Sequence, residues 1–266
     1  MSDFTSEILR DLDRKLDPSK RSKMSGKVLK FDGLTAHCDG FPARVGSICK
    51  IETGSNTDVF AEVISFKDGL NQLVVFDLAA GIRAGDLVTL VEEGQSIEVG
   101  DKLLGRVFDA MGSPLDGRPQ PHAPHEWPLH GTLINPLERR HISSALDVGV
   151  KSINGLLSIA KGQRVGIVAG SGVGKSVLLS MITKHSEADV IVVGLIGERS
   201  REVLEFIDNV FDKKTREKLC AVAVPADRSP LLRIRGANRA TAIAEYFRDQ
   251  GKNVLLIMDS LTRVAH

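Results

Sequence analysis

The chain has 266 residues, 35 basic and 34 acidic side chains, a net charge of +1, and 42% hydrophobic and 5% aromatic residues. That composition supports a buried core and excludes disordered and fibrous classes. Near-neutral charge with a single Trp and a single Tyr argues against a dedicated nucleic-acid binder or a base-stacking platform. Cys38, Cys49 and Cys220 form no CxxC pair, no apolar run approaches a membrane span, and the charged N-terminus lacks a signal-peptide core. The expectation is a soluble, cytoplasmic protein of nearly two domains.

Phe4, Ile8, Leu12 and Leu16 recur four residues apart with Leu9 beside them, which predicts an amphipathic helix over residues 1–20. So short a helix needs a partner for its apolar stripe: its own domain, another protein or a membrane surface. Residues 24–92 then carry short β-type runs such as KVLKF, VGSICKIE, VFAEVISF, NQLVVFD and DLVTLVE. Asp32-Gly33, Asp39-Gly40 and Asp68-Gly69 separate them, and Asp-Gly suits the positive φ of tight hairpins. The pattern predicts a small antiparallel barrel or sandwich domain.

Residues 112–136 hold six of the ten prolines and predict an ordered connector. His122, His125 and His130 in it lack a supporting carboxylate or thiolate pattern and are expected to be loop residues. After Gly155 strands and helices alternate. Strands are predicted at 163–169, 190–197, 219–224 and 253–258, and helices at 174–185, 201–211 and 236–250. Nearly continuous apolar strands between helices imply a parallel sheet covered on both faces, so residues 93–266 are expected to form an α/β nucleotide-binding domain.

The segment Ala169-Gly170-Ser171-Gly172-Val173-Gly174-Lys175-Ser176 matches the phosphate-binding pattern G-x-x-x-x-G-K-[ST] except at its first position. Its glycines let backbone N–H groups converge on phosphates at a helix N-terminus. Lys175 is expected on the β- and γ-phosphates, and Ser176 on Mg²⁺. Asp259 follows the apolar run Val254–Met258 and is expected to hold the same metal. Glu198 ends another apolar run, followed by Arg199. There it can either deprotonate an attacking water or cap the next helix.

These residues carry a resemblance. The stretches GRVFDAMGSPLDG (105–117), NPLERRHISSALDVGVKSINGLL (135–157), GQRVGIVAGSGVGKSVLL (162–179), LIGERSREVLEFI (195–207) and ATAIAEYFRDQGKNVLLIMDSLTR (240–263) are similar to the flagellar and type III secretion export ATPases. Those ATPases are related to the catalytic subunits of rotary ATP synthases. The resemblance implies a RecA-like P-loop core preceded by a small antiparallel β-barrel, and MgATP as ligand. Glu198 is implied as the residue that polarises water, Arg199 as a neighbour of the γ-phosphate and Arg263 as a lining residue. It further implies a hexameric ring, a stator-like regulator meeting the N-terminal helix, an export apparatus with its exported proteins, and at most peripheral contact with the inner membrane.

AVPADRSPLL (223–232) departs from the usual family segment. Family members also continue beyond the position of His266 with further sheet, an arginine finger, an adenine-contacting aromatic and a helical domain. The core is therefore expected to be incomplete at its C-terminal side. The function so implied is ATP hydrolysis energising protein export; the alternatives are a non-hydrolysing nucleotide-binding scaffold and, from the shared core, an RNA translocase.

Overall fold

The computed structural model describes residues 24–54, 58–76, 81–131, 134–138, 141–170 and 172–265. The helix predicted over residues 1–20 lies outside them. The chain divides into two compact units between Glu93 and Gly94.

The first unit is a closed six-stranded antiparallel barrel, so the choice between barrel and sandwich falls to the barrel. Its strands are β1 (Ser25–Phe31), β2 (Thr35–Asp39), β3 (Ile48–Glu52), β4 (Asp58–Lys67), β5 (Leu70–Val75) and β6 (Leu87–Glu92), arranged β1-β2-β5-β4-β3-β6 with β6 returning to β1. Alternation decides which side chains fill it: Val28, Ala36, Cys38, Cys49, Ile51, Val63, Leu73 and Val88 point inward and are fully buried. The Asp-Gly pairs differ in use. Asp68 and Gly69 both take positive φ and turn β4 into β5, and Gly33 does so between β1 and β2, where Asp32 accepts from the Leu34 and Thr35 amides. Asp39-Gly40 makes no such turn. Asp39 accepts from the Lys27 amide, and Gly40 lies where a Cβ would meet the Gly69 carbonyl oxygen at 2.5 Å.

The second unit begins with β7 (Ser96–Val99), β8 (Val107–Phe108) and β9 (His125–Pro128). β7 and β9 pair antiparallel, so the proline-rich connector contributes a short strand. Next come α1 (Lys175–His185), β10 (Val190–Ile196), α2 (Ser200–Val210), β11 (Leu219–Val224), α3 (Pro230–Asp249), β12 (Val254–Asp259) and the single turn α4 (Leu261–Val264). The sheet runs β12-β10-β11-β8, parallel throughout. Every residue of β10 and β11 is buried because helices cover both faces. Val190, Val192, Cys220 and Val222 face Ala240, Ile243 and Phe247 of α3. The alternate residues Ile191, Val193, Leu219 and Ala221 face Leu179 and Ile182 of α1 and Phe206 and Val210 of α2.

Two predictions from periodicity are corrected here. α3 starts at Pro230, six residues before its predicted start, because Pro at the first helical position is pre-set for the helix and the Ser229 hydroxyl accepts from the Leu232 amide. The predicted strand 163–169 does not form. Residues 163–170 have no regular structure, and Val165 and Val168 are 52% and 99% exposed. Their composition suits a buried parallel strand, but a strand exists only against a hydrogen-bonding neighbour. Among the described residues β12 pairs with β10 alone, and no strand lies against 163–169.

Candidate active site

The carboxyl ends of β10 and β12 face the N-terminus of α1, and the chemistry gathers there. The β10–β12 register sets Leu195 opposite Asp259, and the Ser260 amide donates to the Ile196 carbonyl. Parallel pairing thus brings the ends of two apolar runs together, although 63 residues separate them in sequence. This is the end of an open α/β sheet at which ligands bind.

Lys175 is the first residue of α1, with Ser176 next to it. Before it, Gly172 and Gly174 have φ of 77° and 92°, a left-handed backbone that glycine adopts without strain. Ala169, Gly170 and Val173 are exposed; Ser171 lies outside the described residues. The Lys175 ammonium donates to the carboxylate of Asp259, whose side chain is 7% exposed.

Glu198 follows β10 through Gly197 and is 8% exposed. It does not cap the following helix: Arg199 is the N-cap residue of α2, with no side-chain cap bond. The Glu198 carboxylate instead meets the Arg263 guanidinium at 3.0 Å. Burial, a hydrogen bond with Glu202 and the charge of Asp259 push its carboxyl up to about 7, against the opposing pull of Arg263 and Lys175. A carboxyl poised there suits a general base at neutral pH. Sharing that hydrogen bond lowers Glu202, with help from the charges of Arg199 and Arg263.

Of the residues singled out in the sequence, Lys175, Glu198, Asp259 and Arg263 form one charge cluster. Arg199 stands at its margin, acting on Glu202. Two participants escaped sequence reasoning. Glu202 lies one helical turn beyond Glu198, and the Glu-x-x-x-Glu spacing was its only signal. Gly197 is the other: it has φ of 74°, its carbonyl accepts from Arg263, and a Cβ there would stand 2.7 Å from the Arg263 Cβ. Only a glycine leaves room for Arg263 to reach Glu198.

The candidate metal donors are hard oxygens: the Ser176 hydroxyl and the Asp259 carboxylate. Such a set fits Mg²⁺ held jointly with phosphate oxygens. No group of three or more His, Cys, Asp or Glu with metal-binding geometry occurs among the described residues.

Comparison with known proteins bears on the whole chain. Residues 149–266 match the ATP synthase alpha/beta family, nucleotide-binding domain. Over 245 residues, 91% of the chain, it is 49% identical to the flagellum-specific ATP synthase of Pseudomonas aeruginosa, of which it covers 54%. It is 46% identical over 250 residues to the protein of the same name from Salmonella typhimurium, covering 90% of the chain and 55% of that relative. The assembled ATPase EscN in complex with its central stalk EscO, from the enteropathogenic E. coli type III secretion system, superposes with a TM-score of 0.83 at 42% identity. That match covers 90% of this chain and 58% of EscN. The chain thus spans about half the length of the curated relatives it matches, and along nine-tenths of its own length it resembles the flagellar and type III secretion ATPases.

Proposed function

We propose that this chain, akin to the flagellum-specific ATP synthases, serves ATP hydrolysis that energises protein export through a flagellar or type III secretion apparatus. The observation that carries the reading is the convergence of Lys175, Asp259, Glu198 and Arg263 at the carboxyl end of a parallel sheet, beside a glycine loop that opens a helix. Ser176 and Asp259 would hold Mg²⁺, which would supply positive charge to neutralise that developing on the phosphates.

The chain's own residues divide the remaining work. Backbone amides of Gly170 and of residues 172–174, with the N-terminal end of α1, favour the anionic phosphates, and Lys175 supplies a point charge to them. Ser176 and Asp259 offer the oxygen ligands. Glu198, with its carboxyl near 7, accepts a proton from water aligned for in-line attack. Arg263, paired with Glu198 at 3.0 Å, keeps that carboxylate oriented and supplies a cation for charge developing at the site. Arg199 acts on Glu202 at the margin of the same cluster.

The relatives' assemblies support a homo-oligomeric ring, hexameric by family resemblance, in a cytoplasmic setting. A stator-like regulator is the proposed partner of the N-terminal segment, and exported proteins are the cargo.

Calorimetry with MgATP on the chain, Lys175→Ala and Glu198→Gln tests the site. Lys175→Ala should lose most affinity. Glu198→Gln should keep it, and in a chain extended to the length of its relatives should slow phosphate release by about 10²–10⁴-fold. Equal loss of binding and turnover in Glu198→Gln would make Glu198 a structural residue and remove the hydrolytic mechanism.

A further inference from the structure

Lys175 and Asp259 come from the phosphate loop and the strand carrying the metal carboxylate, 84 residues apart, and are bonded to each other. We propose that this pair is a latch: Asp259 withholds Lys175 from phosphate until a divalent cation takes the carboxylate, so that metal and phosphate enter the site together. The proposal rests on the nucleotide-binding reading above and adds to it a coupling between two ligands.

Charge and burial carry the argument. The Asp259 side chain is 7% exposed, and a buried carboxylate is costly unless a cation lies against it. The neighbouring charges are already committed. Arg263 pairs with Glu198 and donates to the Gly197 carbonyl, while Glu198 itself repels Asp259. Among the described residues, that leaves Lys175 as the counterion bonded to Asp259. The Lys175 side chain keeps 29% of its surface exposed, so the ammonium can leave toward solvent and the loop once another cation replaces it.

A triphosphate arriving without metal meets a lysine held by a carboxylate. It must break a charge-assisted bond and leave Asp259 buried with no partner, as well as approach a like charge. A divalent cation substitutes two positive charges for one at Asp259 and frees Lys175 for phosphate. By linkage, metal raises phosphate affinity and phosphate raises metal affinity by the same factor.

The test compares ATP binding by the chain with and without Mg²⁺ (metal removed by chelation), against Asp259→Asn, which keeps the shape and removes the charge. Asp259→Asn should bind metal-free ATP about tenfold more tightly than the parent, since releasing one charged hydrogen bond is worth on the order of 1.5–3 kcal/mol and each 1.4 kcal/mol is tenfold. The gain in affinity on adding Mg²⁺ should shrink at the same time. A parent that binds MgATP alongside an Asp259→Asn with unchanged or weaker metal-free affinity overturns the latch and leaves the site reading standing. A parent that binds neither MgATP nor magnesium pyrophosphate overturns the site reading and the latch with it. A second measurement needs no variant. Acylation of Lys175, followed by mass spectrometry with Lys161 as internal reference, should accelerate several-fold when excess Mg²⁺ is added without nucleotide; an unchanged ratio overturns the latch.

Discussion

Gly197→Ala probes how the site holds Arg263. The added methyl meets the Arg263 Cβ at 2.7 Å and its Cδ at 2.9 Å, atoms too close to the backbone to swing aside. Arg263 must retreat, and its 3.0 Å contact with Glu198 lengthens. Two costs add. An L-residue at φ of 74° is disfavoured by about 1–2 kcal/mol. Losing a charged hydrogen bond costs roughly 1.5–3 kcal/mol, taken at its lower end because Arg263 is 39% exposed. The sum is about 2.5–3.5 kcal/mol. Gly251→Ala is the control: φ there is 81° and the new methyl would meet nothing within 4 Å, so only the backbone cost of about 1–2 kcal/mol applies. Urea unfolding of both variants and the parent measures the difference. With its counter-cation withdrawn, Glu198 should also hold its proton to a higher pH. If Gly197→Ala costs no more than Gly251→Ala, Arg263 does not depend on the missing side chain and the account of its placement fails.

Hydrolysis in a chain of family length should rise with pH through about 7 as Glu198 loses its proton, and Glu198→Gln should flatten that limb; a profile unchanged by the substitution refutes the assignment of the base. The same group acts oppositely on stability. Its folded carboxyl lies above the ordinary 4.5, so its favourable contribution is present below pH 4.5 and fades as pH rises to about 7. Arg106→Ala should destabilise the second unit by about 1.5–3 kcal/mol in urea unfolding, because Asp116 loses charged bonds at 2.6 Å and 3.0 Å while Arg118 still pairs with it at 2.8 Å. Arg106 holds Asp116 far below its ordinary 3.8, so that stabilisation is present above pH 3.8 and is lost as acid protonates Asp116; a parent and an Arg106→Ala variant with parallel acid-unfolding curves would contradict this.

Sequence legibility followed the range of the interactions. β10 and β11 were readable because a strand buried on both faces has no polar alternation to confuse it. The barrel strands were readable from period two and from Asp68-Gly69, whose turn is local. Residues 163–169 were not: their apolar composition is a local fact, whereas a strand is a relation to a neighbour. The site divides in the same way. Lys175 announces itself in the glycine-rich motif, and Asp259 and Glu198 at the ends of apolar runs. Gly197 does not, because its importance lies in the space that Arg263, 66 residues later, comes to fill.

The seam between α3 and the sheet is built from very small residues. A Cβ on Gly194 of β10 would stand 3.3 Å from the Ala240 Cβ of α3, and one on Gly236 of α3 2.4 Å from Val224 Cγ2 of β11, so helix and strands pack closely. Surfaces meshed this closely cannot slide past one another without collision. Arg239, on the same helix, grips the carbonyl oxygens of Ala110 and Met111 at 3.0 Å and 2.9 Å, while the Ala226 amide, just before the helix, holds the Glu198 carbonyl at 3.0 Å. Helix, strand ends and the 109–112 loop therefore shift as one lever. A displacement of Glu198 would therefore be passed to a loop nearly ninety residues earlier in the chain.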